Sequence, residues 1–228
     1  EELRLDFLKR YHFLPADEIH TITNGFEQLD SPAKVPDRPV FTIVHVGELY
    51  MSRNPLNLLQ ALNNLLEKGK VLPEKVSVEF VGGLSIDDVR LHDLMKAPLL
   101  ADVVKVLSRV THEEALQLQQ HATVLLLIQP GFHLQIPRKL YEYISFRKPV
   151  LAIADDNGAT SNLIRNKRLG TVVTNDTAAI EEALLVMYIS WESKTLKGVA
   201  AEDLHEFDNS ILSDRLSHVL NEACREHL

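Results

Sequence analysis

Short apolar runs alternate along this chain with segments whose apolar residues recur at helical spacing. The runs are Val40–Val46, Val76–Val81, Val103–Leu107, Thr123–Ile128, Val150–Ala154 and Thr171–Val173. Strands that are apolar on both faces are typical of parallel sheets covered by helices. Because strand and helix alternate about six times, the sequence predicts an α/β protein with a Rossmann-like, doubly wound parallel sheet.

The helical segments carry recognisable start and stop signals. Apolar residues recur every three or four positions from Leu56, and Gly69 is a plausible stop. Thr111–Glu114 is a capping box, which predicts a helix start at that point. The other predicted helices are Leu3–Tyr11, Ser85–Leu100 with a serine cap, Gly158–Leu169, one capped by Asp176 or Thr177, and an amphipathic Ser210–His227 with Leu216 and Leu220 inside.

The first 39 residues differ from the rest of the chain. Ile19–Gly25 has a short β-like pattern that ends in Asn-Gly, and Phe26–Arg38 is rich in turn residues. We therefore expect residues 1–39 to be an interdomain linker with a remnant of a preceding domain. Residues 40–228 would form a single ligand-binding domain.

The segment after the fourth apolar run carries the strongest chemical signal. The run Thr123–Ile128 leads into the loop Gln129–Ile136, and Pro137 stands where the first residue of a helix should be. Free amides there, beside Arg138 and Lys139, would suit a phosphate group at the carboxyl edge of the sheet. One turn later, Glu142 could accept the two hydroxyls of a ribose. Taken alone, the pattern fits an ordinary crossover helix equally well.

Two other strand exits carry candidate ligand groups. Gly47 would let a ligand approach the backbone, and Arg53 could grip a diphosphate. The backbone of Leu107–His112 could meet the edge of a base. By itself, each of these loops is better explained as an ordinary connection with surface charge.

Composition narrows the class of partner. The chain has 32 acidic and 24 basic residues, a net charge of −8, which argues against nucleic acid as a partner. Its single cysteine, Cys224, allows no disulfide framework. No apolar run has the length of a membrane span and no signal peptide is recognisable, so we expect a cytoplasmic location. The chain does not begin with Met, which suggests a piece of a longer protein.

Five motifs occur together in an order and spacing that resemble a known family. They are His45–Pro55, Phe80–Gly83, Val110–Ala115, Ile136–Ile144 and Lys148–Leu151. From about Ile22 to Leu185 the chain resembles the C-terminal domain of GT-B retaining glycosyltransferases of family 4, or group 1. Ile22–Phe26 resembles the segment where that family crosses between its two domains.

The resemblance implies a donor site for a UDP- or GDP-sugar, with no other cofactor. No metal is expected, because the sequence has no acidic cluster such as Asp-x-Asp and the positive groups of the site could do the work of a metal ion. It implies that Glu142 holds the ribose, that Arg53 and Lys139 stabilise the departing diphosphate, and that main chain at Arg109 and Val110 meets the base. The phosphate turn would use the amides of Arg138, Lys139 and Leu140. The full set of candidate substrate-binding residues is Gly47, Glu48, Arg53, Arg109, Val110, His133, Leu134, Gln135, Pro137, Arg138, Lys139, Leu140 and Glu142.

The chain departs from the family pattern at two positions. Leu134 stands where the first glutamate of the family's glutamate pair belongs, and Glu48 replaces the arginine that follows the loop glycine. These changes affect the contacts to the sugar ring more than the nucleotide site. His133 or Gln135 could replace the missing glutamate, or be loop residues without a role.

We therefore expect a donor-binding domain that transfers a sugar with retention of configuration only when an N-terminal half supplies the glycan or lipid-linked acceptor site. Any peripheral contact with a membrane would also come through that half. The isolated chain is expected to bind a nucleoside diphosphate with little or no turnover. The alternatives are a nucleotide-sugar epimerase and a catalytically degenerate, non-enzymatic α/β module.

Overall fold

A computed structural model describes residues 1–27, 39–200 and 204–226. Its centre is a sheet of six parallel strands: β1 (Phe41–Val46), β3 (Val76–Val81), β5 (Val104–Leu107), β6 (Val124–Gln129), β7 (Val150–Ala154) and β8 (Gly170–Val173). They lie in the order β5-β3-β1-β6-β7-β8. The predicted doubly wound parallel sheet is confirmed.

Helices cover both faces of this sheet. In chain order they are α1 (Glu2–Arg10), α2 (Leu56–Glu67), α3 (Val89–Met95), α4 (His112–His121), α5 (Arg138–Ser145), α6 (Ala159–Asn166), α7 (Thr177–Glu192) and α8 (Asn209–Glu226). One apolar core lies between the sheet and α2, α3 and α7, and a second lies between the opposite face and α4, α5 and α6. Strands β1, β3, β6 and β7 are buried almost throughout because both of their faces are covered.

Two predicted elements are wrong in detail. Residues 19–25 form no strand, and only Phe26 makes an isolated bridge, to Asp208. Ser85 does not cap a helix, because it lies in β4 (Leu84–Ser85), which pairs with β2 (Leu49–Tyr50) to form a small second sheet. The cap of α3 is Asp88, whose carboxylate accepts from the amide of Arg90. In the sequence, Ser85 is the more obvious candidate for the helix cap, three residues before Asp88. Its pairing in β4 determines its conformation instead.

The two terminal helices bury less apolar surface than their patterns predict. Leu216 and Leu220 of α8 are 46% and 57% exposed, although they were expected to lie inside. Helix α1 buries none of its residues. Most of the predicted linker, residues 28–38, lies outside the described part of the chain, so the proposed division at residue 39 stays a prediction.

The capping box at the start of α4 gives a direct test of local stability. The Thr111 hydroxyl accepts from the Glu114 amide at 3.2 Å, and the Glu114 carboxylate accepts from the Thr111 amide at 2.8 Å. We expect Thr111→Ala to lower the free energy of unfolding by about 1 kcal/mol, since that is the usual loss for an N-cap. Urea unfolding measures this, with exposed Thr174→Ala as the control that should change stability little. Equal stabilities for the two variants would contradict the role of the cap.

Candidate functional site

The candidate site lies where the direction of strand connection reverses. Strands β1 and β6 are neighbours in the sheet, but the chain moves outward from β1 to one edge and from β6 to the other. The crevice outside the carboxyl ends of two such strands is the place where open α/β sheets bind ligands. The loops after β1 and β6 and the start of α5 meet at this crevice.

The exit of β1 is shaped around the side chain of Lys139. Gly47 has a φ of +110°, and a Cβ atom added to it would lie 2.8 Å from the Lys139 ammonium. His45, buried at the end of β1, has its Nε2 3.0 Å from the same Nζ. The glycine therefore leaves room for the ammonium, and the histidine contacts it from the other side.

The surroundings of the Lys139 ammonium favour the binding of an anion. Burial, followed by the repulsion of Arg53, lowers the pKa of Lys139 to about 8, and Glu142 acts in the opposite direction. Burial is also the main reason why the pKa of His45 lies well below its usual value, and the positive charges of Lys139 and Arg53 lower this pKa further. Two like charges near one another in a partly closed crevice are stabilised by a bound anion.

The guanidinium of Arg53 is held in a fixed direction. It lies between the rings of Tyr50 and Phe132, 4.8 and 4.9 Å from their centroids. Its Nη2 donates to the side-chain oxygen of Gln129 at 3.3 Å, and Gln129 is buried at the end of β6. A sandwiched arginine loses little further freedom on binding, which favours a bidentate contact to a phosphate.

The start of α5 differs by one residue from the prediction. Pro137 is not the first helical residue but the residue before it, with extended φ and ψ of −70° and 140°. The amide of Leu140 is not free for a phosphate, because it donates to the Pro137 carbonyl at 2.9 Å. Within the described residues, the amides of Arg138 and Lys139 have no acceptor. The predicted set of three amides is thus reduced to two.

Glu142 follows one turn later on the same helix. Its side chain is half-buried, and its carboxylate has no hydrogen bond or ion pair within the described ranges. It is near enough to Lys139 to favour the charged form of that amine. The carboxylate oxygens of Glu142 are thus available to accept hydrogen bonds from the hydroxyl groups of a ligand.

The loop between β6 and α5 is tied to the start of α6. The Gly131 amide donates to the Asp155 carboxylate at 2.9 Å, and the His133 carbonyl accepts from the Ala159 amide at 2.7 Å. The Gln135 carbonyl accepts from the Thr160 hydroxyl at 2.8 Å. Leu134 is half-buried between two exposed neighbours. The side chains of His133 and Gln135 are exposed, and the side-chain oxygen of Gln135 accepts from the Gln129 amide nitrogen at 3.5 Å.

Glu48 and Arg109 were predicted at different loops, and the fold brings them together. The Glu48 carboxylate accepts from the Ser85 hydroxyl at 2.5 Å and from Arg109 Nη2 at 3.3 Å. The bond from Ser85, then that from Arg109, lowers the pKa of Glu48. Val110 is half-buried beside this pair. The carboxylate in the β1 exit loop thus binds an arginine from the β5 exit loop.

His45 is the site residue that sequence reasoning missed. In the sequence it is a lone histidine within an apolar run, a position typical of a core or cleft-edge residue. The available signal was a lone titratable residue two positions before the loop glycine, but no pattern in the sequence indicates that Lys139 reaches it across 94 positions.

Neither a metal cluster nor a membrane-crossing helix occurs in the described residues. No group of three His, Cys, Asp or Glu side chains there has the arrangement of a metal site. No described helix combines the length and apolarity needed to span a bilayer.

Residues 27–194 match the family model described as glycosyl transferases group 1. Since this is most of the chain, the protein belongs to that family, and the resemblance seen in the motifs is confirmed. A search of curated proteins gives no match.

Solved structures share the fold. HepE from Anabaena, in complex with UDP, superposes with a TM-score of 0.70 at 18% identity, over 96% of this chain and 61% of that one. A glycosyltransferase from Rickettsia africae gives 0.67 at 18% identity, over 94% and 61%. The lipopolysaccharide outer core galactosyltransferase WaaB gives 0.65 at 14% identity, over 96% and 59%. This chain therefore spans about 60% of the length of these proteins.

Proposed function

We propose that this chain is the donor-binding domain of a glycosyltransferase that takes a sugar from a nucleoside diphosphate sugar and transfers it with retention of configuration. The observation that carries the proposal is the juxtaposition of Arg53, Lys139 and the open amides at the start of α5. These groups come from both sides of the switch point and face one crevice. They have the charge and the donor geometry that a diphosphate requires.

The same groups would assist the reaction. When the bond between the sugar and the diphosphate breaks, negative charge develops on the departing phosphate oxygens. Arg53 and Lys139 are already held in place by their neighbours, so little reorganisation is needed to stabilise that charge. The bound UDP in HepE and in the pneumococcal O-GlcNAc transferase GtfA makes UDP the first nucleotide to test.

Glu142 is proposed to hold the ribose. We expect Glu142→Gln to weaken UDP or GDP binding about tenfold, near the lower limit for loss of an ionised acceptor, because the amide keeps one oxygen. Isothermal titration of the chain with both nucleotides measures the effect and identifies the base. Glu74→Gln, an exposed carboxylate at the opposite edge of the sheet, is the control. If the two variants bind the nucleotide with equal affinity, Glu142 is not part of the nucleotide site.

We propose that the acceptor binds a region equivalent to the part of the similar structures that this chain does not span. On that basis the chain alone binds nucleotide but transfers sugar poorly, and sustained transfer by the chain alone would refute this. A degenerate, non-enzymatic module would bind neither UDP nor GDP, alone or when extended to the length of its relatives. A nucleotide-sugar epimerase would convert the donor sugar without any acceptor, and product analysis would detect that.

A further inference from the structure

The side chain of His45 is held mainly by atoms of the neighbouring strand β6. Its Nδ1 lies 3.0 Å from the Leu126 carbonyl of β6, which can only accept. Nδ1 therefore carries the ring hydrogen, and Nε2 is left with a lone pair. The Tyr143 hydroxyl donates to the same carbonyl at 3.2 Å and accepts from the Val46 amide at 3.1 Å. These bonds orient the ring and favour the tautomer that has its hydrogen on Nδ1.

The lone pair on Nε2 points at Lys139. The 3.0 Å distance to Nζ fits a hydrogen bond in which the ammonium donates to a neutral imidazole. His45 is 1% exposed and desolvation keeps it neutral, so it adds no repulsion to the crevice. One ammonium hydrogen is thereby occupied, and the other two are available to a ligand on the open side.

We propose that His45 is a positioning residue: it holds the ammonium of Lys139 beside Gly47, in the direction needed to contact the diphosphate of the donor. This inference rests on the proposed function for the identity of the ligand. The contact between His45 and Lys139 is a 3.0 Å distance between two nitrogen atoms, and it does not depend on the proposed function. The groups that face the Lys139 amine are His45 from β1, Arg53 from the loop before α2 and Glu142 from α5.

Two substitutions separate the two bonds of the imidazole. Asn at position 45 places a donor near the Nδ1 position, so it keeps the bond to Leu126 but offers Lys139 no acceptor. Gln places its amide oxygen near the Nε2 position, so it keeps an acceptor for Lys139. Both are smaller or more flexible than histidine, and urea unfolding checks that each variant is folded.

We expect His45→Asn to weaken UDP binding about fivefold and His45→Gln to restore most of that loss, the size of effect usual for two groups in contact. In a Lys139→Met background, His45→Asn should have no effect on affinity, because nothing is left to position. A fivefold loss in that background would overturn the proposal, since it would show that His45 acts on binding by another route.

A second readout does not need the nucleotide. The titration of Lys139 can be followed by NMR with ¹³C-labelled lysine and assigned with Lys139→Met. His45→Asn removes the acceptor of the ammonium, so the pKa of Lys139 should fall further, whereas His45→Gln should leave it close to the wild-type value. If the wild-type chain binds no nucleotide, the proposed function fails, and this titration still decides the contact. An unchanged titration in His45→Asn overturns it.

Discussion

Lys139→Met is expected to weaken binding of a nucleoside diphosphate about a hundredfold while leaving binding of the nucleoside alone almost unchanged. Methionine keeps the length of the stem and removes the ammonium. Charge-assisted hydrogen bonds are worth about 1.5–3 kcal/mol each, and loss near the upper end corresponds to roughly a hundredfold. Titrations with UDP and with uridine, run side by side, separate the phosphate contribution from that of the base and ribose.

The same interaction predicts a dependence on pH. The free chain has a pKa of about 8 at Lys139, and a bound diphosphate would raise it, because the added negative charge favours the ammonium. Binding above pH 8 must then take up a proton. The affinity should be constant from pH 7 to about pH 7.5 and fall above pH 8, by at most tenfold per pH unit, until the pKa of the complex is reached.

Two controls make this result decisive. In Lys139→Met the fall in affinity above pH 8 should be absent, since the group that titrates is missing. Lys96→Met removes an exposed lysine that forms an ion pair with Asp93 of α3, and it should alter neither affinity nor pH dependence. If the Lys139→Met and Lys96→Met variants bind UDP with the same affinity, Lys139 is not part of the diphosphate site.

Much of the fold was predictable because strand burial leaves a simple pattern. β3 and β7 occur at the predicted residues, and the capping box of α4 is confirmed. The pattern failed where tertiary contacts decide the structure. Leu216 of α8 follows a regular amphipathic spacing and is still exposed. The spacing indicates which face of the helix is apolar, but it does not indicate whether another part of the protein covers that face.

The candidate site was predictable only one loop at a time. Pro137 and Glu142 could be assigned to the end of a parallel strand from local sequence. The bond between Glu48 and Arg109 joins residues 61 positions apart, and no spacing rule connects them. The contact between His45 and Lys139 depends on the order of β1 and β6 in the sheet, which the sequence pattern does not specify.

Gly47→Ala is expected to reproduce the loss of diphosphate affinity without changing any charged residue. A methyl group at this position would meet the Lys139 ammonium at 2.8 Å and displace it from the place where His45 holds it. The substitution should therefore weaken UDP binding, by up to the roughly hundredfold loss expected for Lys139→Met. Because alanine is strained at a φ of +110°, the substitution should also lower the free energy of unfolding by about 1–3 kcal/mol.

Gly83→Ala separates strain from displacement. Gly83 has a φ of +100°, almost the same as Gly47, but a methyl group added to it would meet no atom within 4 Å. Both alanine variants should lose similar stability in urea, and only Gly47→Ala should lose affinity for UDP. If Gly83→Ala weakens binding as much, general loosening of the strand exits is the cause, and the steric argument fails.

The double variant completes the test, because Lys139→Met removes the group with which the new methyl collides. In that background Gly47→Ala should cause no further loss of UDP affinity, although its strain should still lower stability. Non-additivity in binding together with additivity in stability is the result that a purely structural role of Gly47 does not produce. Additive losses in both measurements would show that the glycine serves the backbone alone, and that the ammonium binds the diphosphate from another position.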